Sequence, residues 1–170
     1  MASYLTQRSP SAEAITQLVL ETFRFNGILL AAGDRLTKIF GLTSALWQVL
    51  GAVSEQPLTI AQIARNMGLT RQSVRRTANI LQDRGFVEFL DNPDHRRAKL
   101  VCLTGSGQSV LEDVSRAQVA WSKRIAEGFD LMELKLLVQT VQKLSEKIQQ
   151  VNANEEQQGS DHESVSDDFG

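Results

Sequence analysis

The sequence predicts a mainly α-helical protein with a small β-hairpin, an α+β fold, and three observations support this class. Apolar residues recur at helical spacing over most of the chain. Two short helices near the middle are separated by only Gly68-Leu69, which is typical of a helix-turn-helix. The runs FVEFL (residues 86–90) and KLVCLT (residues 99–104) have the composition of strands and flank a turn-rich link. With 170 residues and 42% hydrophobic content, the chain can bury a core.

The N-terminal part predicts two helices. The first extends from residue 11 to residue 40, with Gly41 as its end signal, and the second from residue 44 to residue 54. Asn26-Gly27 and Gly33 interrupt the first pattern, because each glycine costs about 1 kcal/mol relative to alanine in a helix interior. We therefore expect either a kink or close helix packing there.

Strong capping signals mark the two short helices of the helix-turn-helix. Thr59 and Gln62 form the T-x-x-Q pattern of a capping box, and Gly68 follows the last turn as a C-terminal signal. Thr70 then caps a second helix, which Gly85 closes. These signals predict helices over residues 60–67 and 70–84.

The second short helix has two opposed faces. One arginine can form two hydrogen bonds with one guanine, and one asparagine or glutamine can form two with one adenine. The polar face of this helix therefore suits the DNA major groove. An ordinary solvated helix face is the alternative interpretation. At about 100° per residue, the apolar or small face holds Val74, Thr77, Ala78 and Leu81, and the polar face holds Gln72, Arg75, Arg76 and Asn79.

Positive charge is concentrated in this helix and the hairpin that follows it. The formal net charge of the chain is -2, yet residues 65–99 hold 8 basic and 4 acidic side chains. Arg96, Arg97 and Lys99 lie near the hairpin tip. Two basic elements side by side suit a major groove and the neighbouring backbone or minor groove. The sequence therefore predicts double-stranded DNA as a partner.

The C-terminal part predicts two long helices and a tail. Thr104 can cap the first of them. Beyond residue 152 the chain is polar and acidic, which predicts a solvated, disordered tail over residues 153–170. Because apolar residues of the last helix alternate steps of three and four, a partner helix is expected, without an indication of which chain supplies it. They are Leu134, Leu137, Val141, Leu144, Ile148 and Val151.

The stretch LTIAQIARNMGLTRQSVRRTANILQDRGFVEFLDNPDHRRAKLVCLT, residues 58–104, resembles the MarR family of bacterial winged-helix transcriptional regulators. The pair Leu103-Thr104 with a glycine after the hairpin is among the more specific features, and the likeness extends over roughly residues 11–151. It implies a winged helix-turn-helix over residues 43–104. It also implies a homodimer built by an N-terminal region (1–42) and C-terminal helices (105–152).

The resemblance also implies which residues contact DNA. The helix over residues 70–84 would enter the major groove. The hairpin is the wing of such a fold, and its second arginine, Arg97, would enter the minor groove. His95 stands where the family often has an aspartate before the paired arginines, and an aspartate, Asp94, comes one place earlier. Either Asp94 substitutes and orients Arg97, or Arg97 is less fixed and contributes to general phosphate attraction more than to groove readout. The complete set of predicted contacts is Thr70, Arg71, Gln72, Ser73, Arg75, Arg76, Asn79, Arg96, Arg97 and Lys99.

Members of this family commonly bind small lipophilic or phenolic effectors, which weaken the binding of the regulator to DNA. The resemblance therefore implies a ligand pocket, for which Phe23, Phe40 and Trp47 are the candidates, although aromatic residues at helical spacing are more often core. Some relatives sense oxidants through a cysteine. Cys102 lies in a predicted strand with no pattern that lowers its pKa, which disfavours such a role.

Other classes of function have little support. One cysteine and two distant histidines predict no metal site and no cofactor, and no phosphate loop or catalytic constellation predicts an enzyme. No apolar run is long enough for a membrane span, so a cytoplasmic location is expected. The leading hypothesis is a homodimeric, sequence-specific repressor released by an effector. The alternative is a winged-helix protein-interaction module without sequence-specific readout of DNA.

Overall fold

A computed structural model of the chain describes residues 9–95 and 97–166, with side chains described at all of these positions except 156 and 158–166. The described residues form two compact units, one ending at Ala120 and the other beginning at Trp121. In chain order the elements are α1 (Pro10–Thr37), a 3-10 helix (Lys38–Phe40), α2 (Ser44–Ala52), β1 (Leu58–Thr59), α3 (Ile60–Met67), α4 (Arg71–Asp83), β2 (Val87–Leu90), β3 (Leu100–Leu103), α5 (Gly105–Ala126) and α6 (Leu131–Ser166).

Helix α1 packs closely on α2, as one of the two expectations for its glycines stated. Gly33 is buried, and a Cβ built on it would overlap the Ser44 hydroxyl oxygen. That hydroxyl donates to the main-chain oxygen of Leu30 at 2.7 Å, and the Ser44 amide donates to Asp34 Oδ1 at 2.7 Å. These bonds tie the predicted N-terminal region to the helices that follow. The predicted N-terminal region and the helices that follow it belong to the same compact unit.

The helix-turn-helix has the predicted caps. Thr59 and Gln62 form both halves of the capping box at α3. Gly68 ends α3 with φ of 63°, a left-handed conformation that glycine adopts without strain. The Ser73 amide donates to Thr70 Oγ1 at 3.1 Å, which caps α4. Local sequence therefore determines where α4 begins.

The hairpin of β2 and β3 is confirmed, and it belongs to a three-stranded antiparallel sheet in the order β1-β3-β2. Val87 pairs with Leu103 and Leu90 pairs with Leu100 across the hairpin. The third strand, β1, was not predicted. It has only two residues and forms through pairing with Val101 and Leu100, so it leaves no periodic pattern in the sequence.

One hydrophobic core joins α2, α3, α4, the sheet and the start of α5. The apolar face predicted for α4 supplies Val74, Ala78 and Leu81, all fully buried. Because these three residues anchor α4 in the core, its opposite face points into solvent. The other buried apolar residues of this cluster are Leu42, Leu46, Val49, Leu50, Val53, Leu58, Ile63, Ala64, Val87, Val101 and Val114.

The second unit contains the end of α5 and all of α6. Asp130 caps α6, because its Oδ2 accepts from the Met132 amide at 2.7 Å. Helix α6 continues through Ser166, into the segment for which a disordered tail was predicted, and residues 167–170 of that segment lie outside the described residues. Ala153, Glu155 and Gln157 favour helix, and no proline interrupts the segment. None of the described helices combines the length and apolar content that crossing a membrane requires.

Candidate nucleic-acid interface

A concave surface lies between α4 and the wing, by which we mean the hairpin from Val87 to Leu103. We call this surface the groove. It encloses about 560 Å³. Its lining residues come from the start of α3, one side of α4 and the wing: Thr59, Ile60, Ala61, Arg71, Arg75, Asn79, Gln82, Phe89, Arg97, Ala98 and Lys99.

Four basic side chains surround the groove, two from each of its walls. Arg71 and Arg75 belong to α4, and Arg97 and Lys99 belong to the wing. The sequence predicted these as two basic elements, and the fold brings them to one concave surface. None of the described residues that line it is acidic. The groove therefore has the shape and charge to receive an anionic chain.

In the part of the chain that the structure describes, the arginines of α4 and the wing have no carboxylate partners, and Lys99 has only an exposed one. Among the described residues, no ion pair involves Arg71, Arg75, Arg76 or Arg97. Lys99 Nζ lies 4.0 Å from Asp91 Oδ1, and both side chains are exposed. A surface ion pair of this kind contributes at most about 1 kcal/mol, so Lys99 remains available to another anion.

The remaining predicted contacts take other positions. Gln72, Ser73 and Arg76 are exposed on α4 but do not line the groove. Thr70 serves as the cap of α4. Arg96 lies outside the described residues.

The structure adds Gln82 to the candidate residues. It was not predicted, because its direction around α4 falls just outside the polar cluster centred on Gln72. Gln82 follows Arg71 by eleven residues, which is about three turns at 3.6 residues per turn, so it shares a side of α4 with that arginine. The same periodicity, continued to the end of the helix, would have found it.

Comparison with known proteins gives the family. A MarR family model matches residues 40–98, which includes α2, α3, α4 and most of the wing. A curated but uncharacterised protein of Mycobacterium tuberculosis (strain ATCC 25618 / H37Rv) is 38% identical over 119 residues, covering 70% of this chain and 83% of its own. The chain belongs to the MarR family.

Two further comparisons connect this MarR protein with transcription regulators. The transcriptional activatory protein BadR of Rhodopseudomonas palustris is 26% identical over 111 residues, 63% of either chain. The crystal structure of CouR from Rhodococcus jostii RHA1, bound to p-coumaroyl-CoA, is 25% identical with a TM-score of 0.68 over 75% of this chain and 90% of that one. The predicted winged-helix fold and MarR membership are thus confirmed.

Hydrogen bonds donated by backbone amides stabilise the turn of the wing in this MarR protein. The Asp94 amide donates to Asn92 Oδ1 at 3.0 Å, and the Ala98 amide donates to the His95 main-chain oxygen at 3.0 Å. One of the two expectations for Asp94 was that it orients Arg97. Among the described residues the two form no ion pair, so the conformation of Arg97 in this chain does not depend on that contact.

The aromatic residues predicted for an effector pocket are not equivalent. Phe23 of α1 is 72% exposed, whereas Phe40 and Trp47 are half-buried and pack against the hydrophobic core. Within the first unit, Trp47 also lies near Gly33, at 3.7 Å from the position of an added Cβ. Phe40 and Trp47 thus have a structural role in the MarR chain itself, and their role in ligand binding stays a prediction.

Cys102 has the environment of an inert thiol. It is buried in β3, where it pairs with Glu88 of β2. Desolvation, and secondarily the charge of Glu88, raise the pKa of Cys102 above its ordinary value of 9.0. Because the thiolate is the reactive species, this argues against oxidant sensing. The described residues contain no group of three or more His, Cys, Asp or Glu side chains placed to hold a metal ion.

Proposed function

We propose that this MarR protein is a homodimeric, sequence-specific DNA-binding regulator, with α4 in the major groove and the wing in the adjoining minor groove. The observation that carries this proposal is the groove itself, where Arg71 and Arg75 face Arg97 and Lys99. An α-helix fits a major groove about 12 Å wide. The wing, which lies beside α4, would then reach the adjoining minor groove.

The charge of these elements supports nucleic acid over a protein partner. Residues 65–99 carry an excess of four positive charges, although the whole chain is at -2. Each phosphate that a basic side chain neutralises releases counterions and adds to affinity. A protein-interaction module, the alternative function, has no need for arginines that form no ion pair with any carboxylate of the described residues.

Exposed apolar side chains support the homodimer. In the first unit, α1 exposes Leu20, Phe23, Phe25 and Ile28 by more than half of their surface. In the second unit, α6 exposes Leu136 and Leu137 to a similar extent. Large apolar side chains exposed in such numbers usually mark an interface. Two copies would present two α4 helices to half-sites about one turn of DNA, roughly 34 Å, apart.

Sedimentation of Phe23→Glu tests the dimer. We expect the wild-type chain to sediment as a dimer and Phe23→Glu as a monomer, because the new carboxylate would be buried in the interface. Leu90→Glu is the matched control, since Leu90 is an exposed apolar residue of the wing. A wild-type chain that stays monomeric at micromolar concentration contradicts the homodimer.

We further propose that a small lipophilic or phenolic effector releases the protein from DNA and that the protein represses. CouR, bound to p-coumaroyl-CoA, supports a ligand of this chemical class. BadR is named an activatory protein, so the sign of control has to be measured. A reporter placed behind the selected DNA site, with and without phenolic acids and their CoA thioesters, gives both answers. Repression that one of these compounds relieves is the expected result.

The DNA-binding experiment uses the full-length chain and duplexes selected from a random pool. We expect enrichment of a paired-half-site sequence, with log affinity falling linearly as log salt rises, by about 0.9 per neutralised phosphate. Lys99→Ala should weaken binding to selected and scrambled duplexes alike. Lys123 is an exposed lysine of α5, and Lys123→Ala should leave binding to both duplexes unchanged. Binding that is weak, independent of salt and indifferent to sequence would favour the protein-interaction module.

A further inference from the structure

The neighbouring arginines of α4 face different surroundings. The buried residues Val74, Ala78 and Leu81 define the inner side of the helix. At about 100° per residue, Gln72 and Arg76 project from the side directly opposite, away from the body of the protein. Arg75 projects in a direction that differs from this one by roughly a quarter of a circle around the helix axis.

A row of four residues runs along the side of α4 that borders the wing. It consists of Arg71, Arg75, Asn79 and Gln82, which fall within an arc of about 80°. All four line the groove, and neither Gln72 nor Arg76 does. The helical projection and the lining of the groove therefore make the same division of the polar face.

A duplex bound by α4 and the wing must place one sugar-phosphate strand between them. The major and minor grooves of DNA are separated by that strand, so elements in adjoining grooves lie on either side of it. The groove is the concave surface between these two elements, and Arg71, Arg75, Arg97 and Lys99 line it. Its chemistry is that of a phosphate site. Side chains that project straight out from α4 reach further toward the base edges.

We propose that Arg75, with Arg71 and Gln82, holds the phosphate strand in the groove, and that Arg76, with Gln72, reads the bases. This inference rests on the proposed function and divides the polar face of α4 into two roles. Arg75 contributes affinity for any sequence. Arg76 contributes specificity, because its guanidinium can bond the two acceptors of one guanine.

Substitutions of the two arginines test the division, since both side chains are exposed and both changes remove one charge. Affinity of each full-length variant is measured on a duplex selected by the wild-type chain and on its scrambled version, over a range of salt. Arg75→Ala should weaken both complexes by a similar factor and lower the salt slope by about one. Arg76→Ala should weaken the selected complex roughly tenfold to a hundredfold and abolish a base preference.

Lysine variants separate charge from geometry. Lysine supplies a point charge for a phosphate but lacks the planar fork that bonds guanine in pairs. Arg75→Lys should therefore retain most of the affinity, while Arg76→Lys should remain as unspecific as Arg76→Ala. Arg116→Ala is the control for loss of one positive charge, because Arg116 lies on α5 and pairs with Asp113. Melting temperatures close to wild type establish that each variant is folded.

The outcomes distinguish this assignment from the proposal on which it rests. If Arg75→Ala changes the selected sequence while Arg76→Ala does not, the assignment is overturned and the DNA-binding function stands. Equal loss of specificity in both variants also overturns it. If the wild-type chain enriches no sequence, the proposed function fails, and the division of roles fails with it.

Discussion

Gly33 of α1 lies directly against Ser44 at the beginning of α2. A Cβ on Gly33 would clash with the Ser44 hydroxyl oxygen, which donates a 2.7 Å hydrogen bond to the main-chain oxygen of Leu30. Thr37, one turn later, places its hydroxyl, with its single proton, within hydrogen-bond distance of two main-chain oxygens, those of Gly33 at 2.9 Å and Leu42 at 3.1 Å. The end of α1 is thereby joined to α2 by polar bonds at a point where the helices have no room for a methyl group.

Gly33→Ala should therefore destabilise the protein even though alanine favours helix. Overpacking of this kind costs about 1–3 kcal/mol, measured as the loss in free energy of unfolding by urea. Gly51→Ala is the matched control, because Gly51 lies in α2 and a Cβ there meets nothing within 4 Å. It should be neutral or stabilising. Equal effects of the two substitutions would contradict the close packing.

Gly107→Ala should destabilise the junction between the wing and α5, and Gly105→Ala should not. A Cβ on Gly107 would collide with the main-chain oxygen of Phe86 and come within 3.2 Å of Leu103 Cδ2, whereas one on Gly105 meets nothing within 4 Å. A backbone atom cannot move aside as a side chain can. We expect a loss of about 1–3 kcal/mol in urea unfolding for Gly107→Ala alone. An unchanged unfolding transition would contradict the clash, because it would mean that the backbone at the junction shifts to make room for the methyl group.

Thr70→Ala should lower stability by removing the cap of α4. Loss of an N-cap hydroxyl costs about 0.5–2 kcal/mol, and the Ser73 amide would lose its acceptor at 3.1 Å. Thr70→Ser keeps the hydroxyl and should keep stability close to wild type. Thermal unfolding followed by circular dichroism compares the two. If serine destabilises as much as alanine, the threonine methyl rather than the cap matters here.

Cys102 should react slowly with alkylating reagents in the folded protein. Burial, with a smaller effect from Glu88, raises the pKa of this thiol above 9.0, so little thiolate forms near neutral pH. A pKa raised by folding stabilises the native state fully below the unfolded pKa, and that contribution is lost as pH rises through the folded pKa. The stability of wild type relative to Cys102→Ala should thus fall above about pH 9.

Rates of iodoacetamide modification, compared with and without urea, measure the accessibility and ionisation of Cys102 directly. Modification in the native state as fast as in urea would contradict the buried, protonated thiol. It would also reopen the question of oxidant sensing.

Much of the fold was predictable because local chemistry determines it. The capping box of Thr59 and Gln62 and the left-handed glycine at Gly68 act within one turn of the helix they delimit. The buried face of α4 follows from the spacing of Val74, Ala78 and Leu81 alone. A signal that lies within a few residues can be read without knowing the rest of the chain.

In the last helix, composition and local helix propensity point in different directions. Acidic, polar composition beyond residue 152 predicted a disordered tail, while the backbone is helical through Ser166. Composition reports whether a segment can build a core. It does not report whether straight-chain residues continue a helix that has already been nucleated by the segment before them.

Local signals in the sequence place the helix-turn-helix, the hairpin and the basic residues on both, and helical periodicity groups Gln82 with Arg71 and Arg75. Packing between distant segments is what makes that side of α4 line the groove, while Arg76 does not. It also decided that Gly107, rather than Gly105, is the glycine the junction requires. The physical reason is that periodicity gives a residue's direction around its own helix, whereas what it meets there depends on elements that are distant in sequence.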